Sequence, residues 1–422
     1  MEGWKEITLN DVGWFKGAGV NKLINSDEQP VFLVNYMDVY KHWQLYYNTN
    51  YQTVTAKDRE IEEANLLEGD VLFTPSSEKP VDIGRAGVIM ESMPNCVYSY
   101  HLIRCRLFDK AAYDLRFLSY LLNSDEVQKH FVSRASGSGI RYTLSLNDFK
   151  SVKIRFPEKS EQTAIANILS KVDDAIASVQ SSIAVAERLK KSLMQNLLTG
   201  RMKPDGTLRN DDEFYMDEKF GKVPVGWEVR QVKEFGEVVT GKTPPTEEHD
   251  VFSDKEHGFM FITPGDVGMT KYIEQTERYV SEKGIKYSYR LPQNAVCEIC
   301  IGSTIGKIGI TTKECCTNQQ ITSVVVNDDN NAEFFYYAMS ARREHFRSIA
   351  GINATPQINK SEYSKYRILC PKTKTEQSEI AQKLSAIDNE INTYQQRIAT
   401  LERLKKSLMQ NLLTGRVRIK NK

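Results

Sequence analysis

The stretch ERLKKSLMQNLLTGR occupies Glu187–Arg201 and occurs again, without a single difference, at Glu402–Arg416. The similarity extends upstream, because the residues from Pro157 match those from Pro371 after one extra residue near the start. In a chain of 422 residues, such a duplicated block predicts two copies of one architectural unit. The duplication, more than any single motif, therefore decides the fold.

Apolar residues in both copies step by four and three along the chain, which predicts a heptad seam on a helix. After Ala186 the next apolar residue is Leu189, three positions on, so we expect the seam to reorient there. The seam positions are Ile165, Leu169, Val172, Ile176, Val179, Ile183 and Ala186, and then Ile380, Leu384, Ile387, Ile391, Tyr394, Ile398 and Leu401.

Capping residues set the expected ends of the two helices. Ser160 and Thr375 are predicted N-caps, each followed by a glutamate suited to the positive end of a helix. Gly200 and Gly415 follow the last apolar residues as predicted C-caps. Each helix is then about 36 to 40 residues long, or about 55 Å.

Weaker similarity links the segments in front of the two helices. GWKEITLNDVG at Gly3 parallels GWEVRQVKEFG at Gly226. LVNYMDV parallels FITPGDV, and IGRAGVI parallels IGKIGI. Short alternating apolar runs separated by Gly, Pro and Asn, each series followed by a helical piece, predict two similar β-rich α+β domains.

Chain continuity predicts how the helices pair. The second domain is entered from the end of helix one and left at the start of helix two, and parallel helices would place these points about 55 Å apart. Antiparallel pairing brings the points together, so we expect an antiparallel coiled coil that joins two pseudo-two-fold related domains. The predicted segments are domain 1 at 1–156, helix one at 157–200, a linker at 201–225, domain 2 at 226–370, helix two at 371–415 and a basic tail at 416–422.

Composition limits the class of protein. The 56 Lys and Arg residues nearly balance the 55 Asp and Glu residues, so any basic surface has to be local. No apolar run is long enough to cross a bilayer and MEGWKEITLN is no signal peptide, so we expect a cytoplasmic protein without a membrane partner. Seven irregularly spaced cysteines also favour a reducing compartment over a disulfide framework.

The order of domain, EQxxIAxxLxxxD helix and ERLKKSLMQNLLTGR, followed by all three again, resembles the specificity subunit of type I restriction-modification systems. This resemblance covers essentially the whole chain. It implies two target-recognition domains that each read one half of a split sequence in double-stranded DNA, with the helices as a spacer. Recognition domains vary greatly in this family, so it transfers no base-reading residue to this chain.

The same resemblance implies the partners and cofactors. Each end would dock one of two methyltransferase (modification) subunits, giving an N6-adenine methyltransferase, and added restriction/translocase subunits would give an ATP-dependent endonuclease. The chain itself would be non-catalytic and hold no cofactor, since S-adenosylmethionine, ATP and Mg belong to the partner subunits.

Identity between the two fifteen-residue copies exceeds what a coiled coil needs, because only the leucines have to match for heptad packing. We expect the polar residues to face outward and one shared partner to contact both copies. Recent duplication without time to diverge is the alternative. The candidate docking residues are Arg188, Lys191, Gln195 and Asn196, with Arg403, Lys406, Gln410 and Asn411 in the second copy.

Loops that mix cations, amides and aromatics are the expected DNA contacts. NYMDVYKHWQLYYNTNYQ, residues 35–52, has this composition, although we expect half of its aromatics in the core. SGSGIRYTLS and AGINATPQIN are Gly-rich loops that can approach DNA closely, or else turns into the final strand. The TGKTPP loop and two glycine-flanked turns would contact phosphates. The candidates are Tyr36, Lys41, Tyr46, Asn48, Arg85, Ser138, Arg141, Tyr142, Lys242, Thr243, Lys307, Asn353, Thr355 and Gln357.

GEVVTGKT, from Gly236 to Thr243, matches the GxxxxGKT pattern of a P-loop. A P-loop opens directly into a helix whose N–H groups hold phosphate. Here Pro244 and Pro245 follow, which removes two donors and favours an extended path. We therefore predict no nucleotide site at this stretch, and a self-contained ATPase is the weakest of the alternatives.

Two further patterns are also interpreted as structural. FKGAG at Phe15 looks like the FxGxG loop of an S-adenosylmethionine site, but the chain has no N/D-P-P-Y/F tetrapeptide to bind a target amine. CEIC, with Cys315 and Cys316 downstream, could indicate zinc. Its two cysteines should however project to opposite faces of a strand, which favours buried thiols.

Two functions from different classes remain. The favoured one is a non-catalytic DNA-recognition subunit, and the rival is a coiled-coil assembly scaffold without direct DNA readout. Binding to random duplex DNA, measured for the chain alone and together with a modification subunit, separates the two.

Overall fold

The computed structural model describes residues 4–17, 19–48, 50–351 and 356–419. The chain divides into two compact units. Unit 1 comprises Met1–Ser181 with Gln396–Lys422, and unit 2 comprises Ser182–Gln395. Each unit contains one globular domain, called domain 1 and domain 2 below, and a part of each long helix.

Domain 1 has fourteen strands within residues 4–17, 19–48 and 50–156. They are β1 Lys5–Thr8, β2 Gly13–Lys16, β3 Gln29–Val34, β4 Gln44–Leu45, β5 Gln52–Ala56, β6 Asn65–Leu66, β7 Val71–Phe73, β8 Ser76–Ser77, β9 Ala86–Ile89, β10 Met93–Tyr98, β11 Ile103–Leu107, β12 Ser136–Ser138, β13 Arg141–Thr143 and β14 Lys153–Phe156. The helices of the domain are α1 Leu9–Val12, α2 Tyr36–Lys41, α3 Asp58–Ala64, α4 Leu115–Leu122, α5 Asp125–Arg134 and α6 Leu146–Lys150.

Unit 2 has thirteen strands among its described residues. They are β15 Phe214–Asp217, β16 Gly221–Pro224, β17 Trp227–Gln231, β18 Gly236–Thr240, β19 Phe252–Ser253, β20 Phe259–Ile262, β21 Tyr272–Ile273, β22 Arg278–Val280, β23 Val296–Ile299, β24 Ile308–Thr311, β25 Cys315–Thr317, β26 Ile321–Val326 and β27 Arg367–Pro371. Its domain helices are α8 Ala332–Ala341, α9 Arg343–Ile349 and α10 Lys360–Lys365. The hairpin β15–β16 lies within the stretch predicted as a linker.

The two domains share one topology. Domain 1 has a five-stranded sheet in the order β2-β11-β7-β9-β4, and domain 2 has the matching order β18-β26-β23-β24-β21. In a second sheet, β10 pairs parallel with β3 as β25 pairs parallel with β20. The first strand of each domain pairs with its last, β1 with β14 and β17 with β27. The prediction of two similar β-rich α+β domains is therefore confirmed.

The long helices are α7 Lys159–Leu197 and α11 Lys374–Leu412, each of 39 residues. They run antiparallel in each unit. In unit 1, Asp173 pairs with Lys405 while Glu161, earlier in α7, binds Arg418 beyond the end of α11. In unit 2, Lys190 pairs with Asp388, while Arg209, beyond the end of α7, pairs with Glu376 near the start of α11. The antiparallel prediction is confirmed.

The seam residues lie where the heptads predict them, since every one is buried or half-buried. The predicted reorientation at Leu189 is wrong. Leu189 and its copy Leu404 are 49% and 46% exposed. The spacing of four and three instead continues from Ala186 to Lys190, so a lysine occupies the next heptad position.

The helix starts differ from the predicted caps. Ser160 and Thr375 lie inside the helices, which begin one residue earlier. Buried Gln162 donates from Nε2 to the carbonyl of Pro157 at 3.0 Å, and Gln377 donates to that of Pro371 at 3.1 Å. These hydrogen bonds fix the first turn of each helix to the residues before it, so each helix begins before the predicted cap.

The turns after the helices contain the two predicted glycines. Gly200 and Gly415 have φ values of 67° and 70° there, a conformation that favours glycine. In the part of the chain that the structure describes, no helix is both long and apolar enough to span a membrane.

Candidate nucleic-acid interface and repeat faces

A cationic and aromatic surface in domain 1 lies at the turn that follows β10. Tyr100 is half-exposed and its ring lies 3.9 Å from that of His101, centroid to centroid. Burial lowers the pKa of His101, and the nearby charges of Lys22 and Arg141 lower it further. Arg141 also donates from Nη2 to Ser76 Oγ at 2.8 Å. The hairpin β12–β13 therefore brings the predicted Arg141 to this turn.

Hairpin geometry explains why Arg141 can reach that turn. Gly137 and Gly139 have positive φ, and a Cβ on Gly137 would lie 2.1 Å from the carbonyl oxygen of Arg141. Tyr142 follows Arg141 and pairs with Ser77 of β8. The Gly-rich stretch is therefore an exposed hairpin, and not simply a turn into the last strand.

Domain 2 carries an amide-rich surface at the equivalent turn, after β25. Gln319 is exposed and accepts from Thr243 Oγ1 at 2.6 Å. Gln320 accepts from Asn318 Nδ2 at 3.0 Å. Exposed Gln357 forms a bridge with Ile301, and the N–H of Gly302 donates to Pro356. Thr243 therefore contacts Gln319, and Gln357 lies beside Ile301 and Gly302, where a Cβ on Gly302 would lie 3.5 Å from Gln320 Nε2.

The two surfaces share a place in the fold but not a chemistry. Each surface follows the strand of the second sheet that pairs parallel with its neighbour, β10 in domain 1 and β25 in domain 2. In both domains, the loop after the first strand of the five-stranded sheet, β2 or β18, also contacts this part of the chain. In domain 1, Tyr100 donates its N–H to the Val20 carbonyl, and in domain 2 Gly241 donates to Ile321. Cations and aromatics dominate the first surface, and amides dominate the second.

The aromatic stretch 35–52 divides between interior and surface. Trp43 packs against Tyr120 with its ring plane nearly perpendicular, as expected for a core aromatic. Tyr36 is half-buried and stacks on Tyr40. Outside the core are the predicted Lys41, Tyr46 and Asn48, which are exposed; Tyr46 and Asn48 line a cavity of about 310 Å³.

Arg85 and Lys307 occupy equivalent turns, as predicted, and follow Gly84 and Gly306, whose φ values are 75° and 80°. The structure does not bring them to the two turn surfaces. Arg85 instead lines a cavity beside the second repeat copy. The side chain of Lys307 packs on Gly268, at the corresponding cavity of unit 2.

Three predicted DNA contacts stay without a structural description. Asn353 and Thr355 lie outside the described residues, and the side chain of Ser138 is likewise not described. Lys242 is exposed in its loop, and its N–H donates to Ser288 Oγ at 3.2 Å.

Lys22, Tyr100, His101, Gln319 and Gln320 were missed by sequence reasoning. Gln319 and Gln320 lie in a short turn without glycine or aromatic bias, so composition does not single them out. Lys22 follows the FKGAG stretch, which was interpreted only as a possible cofactor loop, and Tyr100 and His101 lie in the aromatic VYSYH. Aligning the parallel strands β10 and β25 would have placed VYSYH against CTNQQ and shown a divergent polar turn at one position.

The outward-facing prediction for the repeat holds for most of its polar residues. Arg188, Lys191 and Gln195 are exposed, as are their second copies Arg403, Lys406 and Gln410. Asn196 and Asn411 are half-exposed, and each donates from Nδ2 to the carbonyl four residues earlier, at 2.9 Å. With the exposed Leu189 and Leu404, they form two faces that we call the repeat faces.

One lysine of each copy faces inward, which corrects the expectation that all polar residues face outward. Lys190 Nζ lies 2.5 Å from Asp388 Oδ1. Its copy Lys405 pairs with Asp173 at 2.6 Å and lies over the ring of Trp43, 4.7 Å from the centroid. Contacts inside the chain therefore account for identity at this position.

A second pair of matching contacts holds the helix starts. Glu161 accepts from Arg418 Nε and Nη2, both at 2.8 Å, and Glu376 accepts from Arg209 Nη2 at 2.5 Å. The Arg418 hydrogen bonds are the largest cause that lowers the pKa of Glu161, against the effect of burial. Each arginine also lies over a tryptophan ring, Trp4 or Trp227, within 6 Å of the centroid, as in a cation–π contact.

The GEVVTGKT stretch forms strand β18 and a loop, and no helix begins after Thr243. The helix N-terminus on which a P-loop depends is therefore missing from this described segment. This agrees with the predicted effect of Pro244 and Pro245.

The cysteines of CEIC point to opposite sides of β23, as predicted. Cys297 packs in one hydrophobic cluster and Cys300 in another, and all seven cysteines are buried free thiols. Glu298 between them is also buried and accepts from the Tyr363 hydroxyl at 3.1 Å. Burial raises the pKa of Glu298 to about 8.

Comparisons with known proteins agree with this geometry. A family model described as "Type I restriction modification DNA specificity domain" matches residues 1–188 and 224–403. The type I restriction enzyme MjaVIII specificity subunit of Methanocaldococcus jannaschii is 25% identical over 381 residues, which cover 87% of this chain and 82% of that protein. The HindI specificity subunit of Haemophilus influenzae is 23% identical over 430 residues, covering 88% and 90%.

A solved structure has a similar fold. The type I restriction-modification S subunit from M. genitalium matches with a TM-score of 0.56 at 16% identity, covering 97% of this chain and 96% of that chain.

Proposed function

Because the chain belongs to the type I restriction-modification DNA specificity domain family, we propose that each of its domains reads one half of a split DNA sequence. Each repeat face docks a methyltransferase subunit. The chain recognises DNA and positions the methyltransferase without catalysing methyl transfer. S-adenosylmethionine, and the ATP and Mg used by restriction subunits, are held by the partners.

One observation carries this proposal: the two domains keep one topology but place different chemistry at the turn after the parallel strand. Tyr100 and His101 in domain 1 stand where domain 2 has Gln319 and Gln320. Glutamine amides can pair with the N6 and N7 edge of adenine, whereas histidine and arginine suit other edges and phosphate. Different polar side chains at the same turn of two domains with one topology support recognition of two different half-sites.

The repeat faces support the docking half of the proposal. Their exposed leucines and polar residues are identical in both units, while the reading surfaces differ. A surface that stays the same on two otherwise divergent domains fits a single kind of partner that binds twice. The proposed partner is the methyltransferase subunit, and restriction subunits join through it.

Sequencing of adenine methylation tests the function directly. A host that carries the complete system should methylate one bipartite sequence, and deletion of this gene should abolish that methylation. Replacing domain 2 by a second copy of domain 1, joined at the matching helix starts, should convert the sequence into two copies of the first half-site. Methylation that persists unchanged after the replacement would refute the assignment of one half-site to each domain.

DNA binding by the complex separates the proposal from the scaffold alternative. A gel shift of the chain with its methyltransferase subunit should show specific retention of the methylated sequence over random duplex. A complex that assembles but retains both duplexes equally would support an assembly scaffold instead.

A further inference from the structure

Two residues of each repeat face, Lys191 with Gln195 and Lys406 with Gln410, line a groove within their own unit. Groove 2, in unit 2, has a volume of about 750 Å³, and groove 1, in unit 1, about 340 Å³. The same six positions of the repeat line both grooves. They are Glu187, Lys190, Lys191, Met194, Gln195 and Thr199 in groove 2, and Glu402, Lys405, Lys406, Met409, Gln410 and Thr414 in groove 1.

The opposite walls of the grooves are different. Groove 2 is lined by apolar side chains that include Phe220, Met269 and Ile368. The corresponding wall of groove 1 comes from Trp43 and from the junction of α4 and α5, where Asn123 and Asp125 are among its polar residues. Groove 2 therefore offers more apolar surface to an incoming segment.

The grooves also differ in charge. Five cationic side chains line groove 2, against the acidic Glu187 and Asp388. Lys190, Lys222 and Lys271 form ion pairs with Asp388, Asp211 and Glu333, so the positive charge left for a ligand comes from Lys191 and Arg342. Groove 1 has three of each sign, because Asp125 and Glu126 at the start of α5 offset its cations. A carboxylate is consequently attracted to groove 2 and not to groove 1.

Groove 1 is in addition partly closed by the chain itself. Gln410 Nε2 reaches across it to Asp125 Oδ2, at 3.4 Å. Arg342, on the facing wall of groove 2, packs over the rings of Phe220 and Tyr366, and this contact leaves Gln195 and Lys191 open to a partner. Entry into groove 1 has to displace a contact that groove 2 does not impose.

The common wall of both grooves is a helix face with residues spaced by three and four, and α8 and α11 complete groove 2. Such a groove accepts an amphipathic helix, whose apolar side chains enter while its polar side meets the rim. The net positive rim of groove 2 fits carboxylates on that polar side. The occupant is therefore a helical segment of the methyltransferase subunit that carries acidic residues.

We propose that both grooves bind this same segment and that groove 2 binds it more tightly, so the first methyltransferase subunit docks on unit 2 and the second on unit 1. This inference rests on the proposed docking of methyltransferase subunits at the repeat faces. It adds an order of assembly. The cause of that order is the difference between the groove residues that do not belong to the repeat.

The repeat supplies a matched pair of variants for the test. Lys191→Glu and Lys406→Glu reverse the same exposed charge at the same position of the two copies, one in each groove. The full-length chain is titrated with its methyltransferase subunit, and calorimetry and native mass spectrometry give the affinity and stoichiometry of each step. Circular dichroism of both variants serves as the folding control, and both should keep the helix content of the wild type.

The wild type is expected to bind in two steps whose Kd values differ by at least about tenfold, with the tighter step more sensitive to salt. Lys406→Glu should retain the tight step and stop at one methyltransferase subunit. Lys191→Glu should lose the tight step and retain the weaker one.

Two results would overturn the inference. One is a wild type that binds both subunits with equal affinity, and the other is loss of the tight step in Lys406→Glu instead of Lys191→Glu. Absence of any binding by the wild type is a different result, because it would refute the proposed docking at the repeat faces as well.

Discussion

Lys190 and Asp388 form an ion pair between α7 and α11, with 2.5 Å between Nζ and Oδ1. The second oxygen of Asp388 accepts from the Tyr337 hydroxyl, also at 2.5 Å, so the carboxylate joins both helices to domain 2. Unit 1 repeats the arrangement with Asp173, Lys405 and Tyr120. A charged residue at a heptad position thus ties each domain to the coiled coil.

Removal of this lysine should destabilise unit 2. Lys190→Ala leaves the partly buried Asp388 without its cation, and we expect a loss of about 2 kcal/mol in the free energy of unfolding. Lys191→Ala, the exposed neighbour, should change it by less than about 0.5 kcal/mol. Urea unfolding of both variants measures the difference, and equal stability of the two would contradict a structural role for the ion pair.

Substitution in the amide-rich turn should alter one half-site only. Gln319→Ala removes an exposed amide from the reading surface of domain 2, and loss of one bidentate base contact costs about 1–3 kcal/mol of discrimination. We expect relaxed specificity at one base pair of one half-site, with the other half-site unchanged. Methylation sequencing of the variant host reveals which bases are affected.

A suitable control for this experiment lies in the same domain. Gln293→Ala removes another exposed amide, in the segment before β23, away from the turn after β25. This variant should methylate the wild-type sequence. If Gln319→Ala also did so, the amide-rich turn would not be a base-reading surface.

Lengthening the helices should lengthen the gap between half-sites. α7 and α11 each contribute residues to both units, so one extra heptad between Ile176 and Ile183, matched by one between Ile391 and Ile398, adds about 10 Å and keeps the seam in register. The half-sites should stay the same while their gap grows by about one to three base pairs. Altered half-sites at the original gap would instead show that the helices take part in base reading.

Stability of domain 2 should fall as the pH rises through the titration of Glu298. Burial raises the pKa of its carboxyl from 4.5 to about 8, so the folded state keeps a proton that the unfolded chain releases. Stability from this group is full below pH 4.5 and decreases until about pH 8, by as much as about 5 kcal/mol.

Glu298→Gln should remove this pH dependence, because the amide stays neutral and can still accept from Tyr363. Thermal unfolding at pH 6 and pH 9 checks it: the variant should gain stability relative to the wild type at the higher pH. Glu274→Gln, at an exposed position, serves as the control. A wild type that is equally stable at both values would show that Glu298 titrates normally.

Sequence alone predicted the features that depend on periodicity. Apolar spacing predicted both long helices to within a few residues and their seam as far as Ala186 and Leu401, because a heptad pattern sustained over several turns has few alternative interpretations. The similarity between the pre-helix segments predicted the shared topology of the domains. Chain continuity predicted antiparallel pairing, which the contacts in each unit confirm.

Features that depend on tertiary contacts were harder to predict. A search for apolar residues skips Lys190, because a lysine is stable at this heptad position only through its ion pair with Asp388, almost 200 residues later. The same limit applies to Tyr100 and Gln319, which become comparable only when the parallel strands before them are superposed. The DNA contact predicted for Arg85 from its glycine-flanked turn stays a prediction, and sequence alone did not show that Arg85 lines a cavity beside a repeat face.

The matching contacts at the helix starts have a consequence for inheritance. Glu161 with Arg418 and Glu376 with Arg209 build the same joint at the far border of each domain, and Gln162 and Gln377 anchor it in the same way. We therefore expect that a gene segment exchanged between these borders places a different domain into a joint that already fits it. On the proposed function, such an exchange changes one half-site while the framework of helices and joints stays the same.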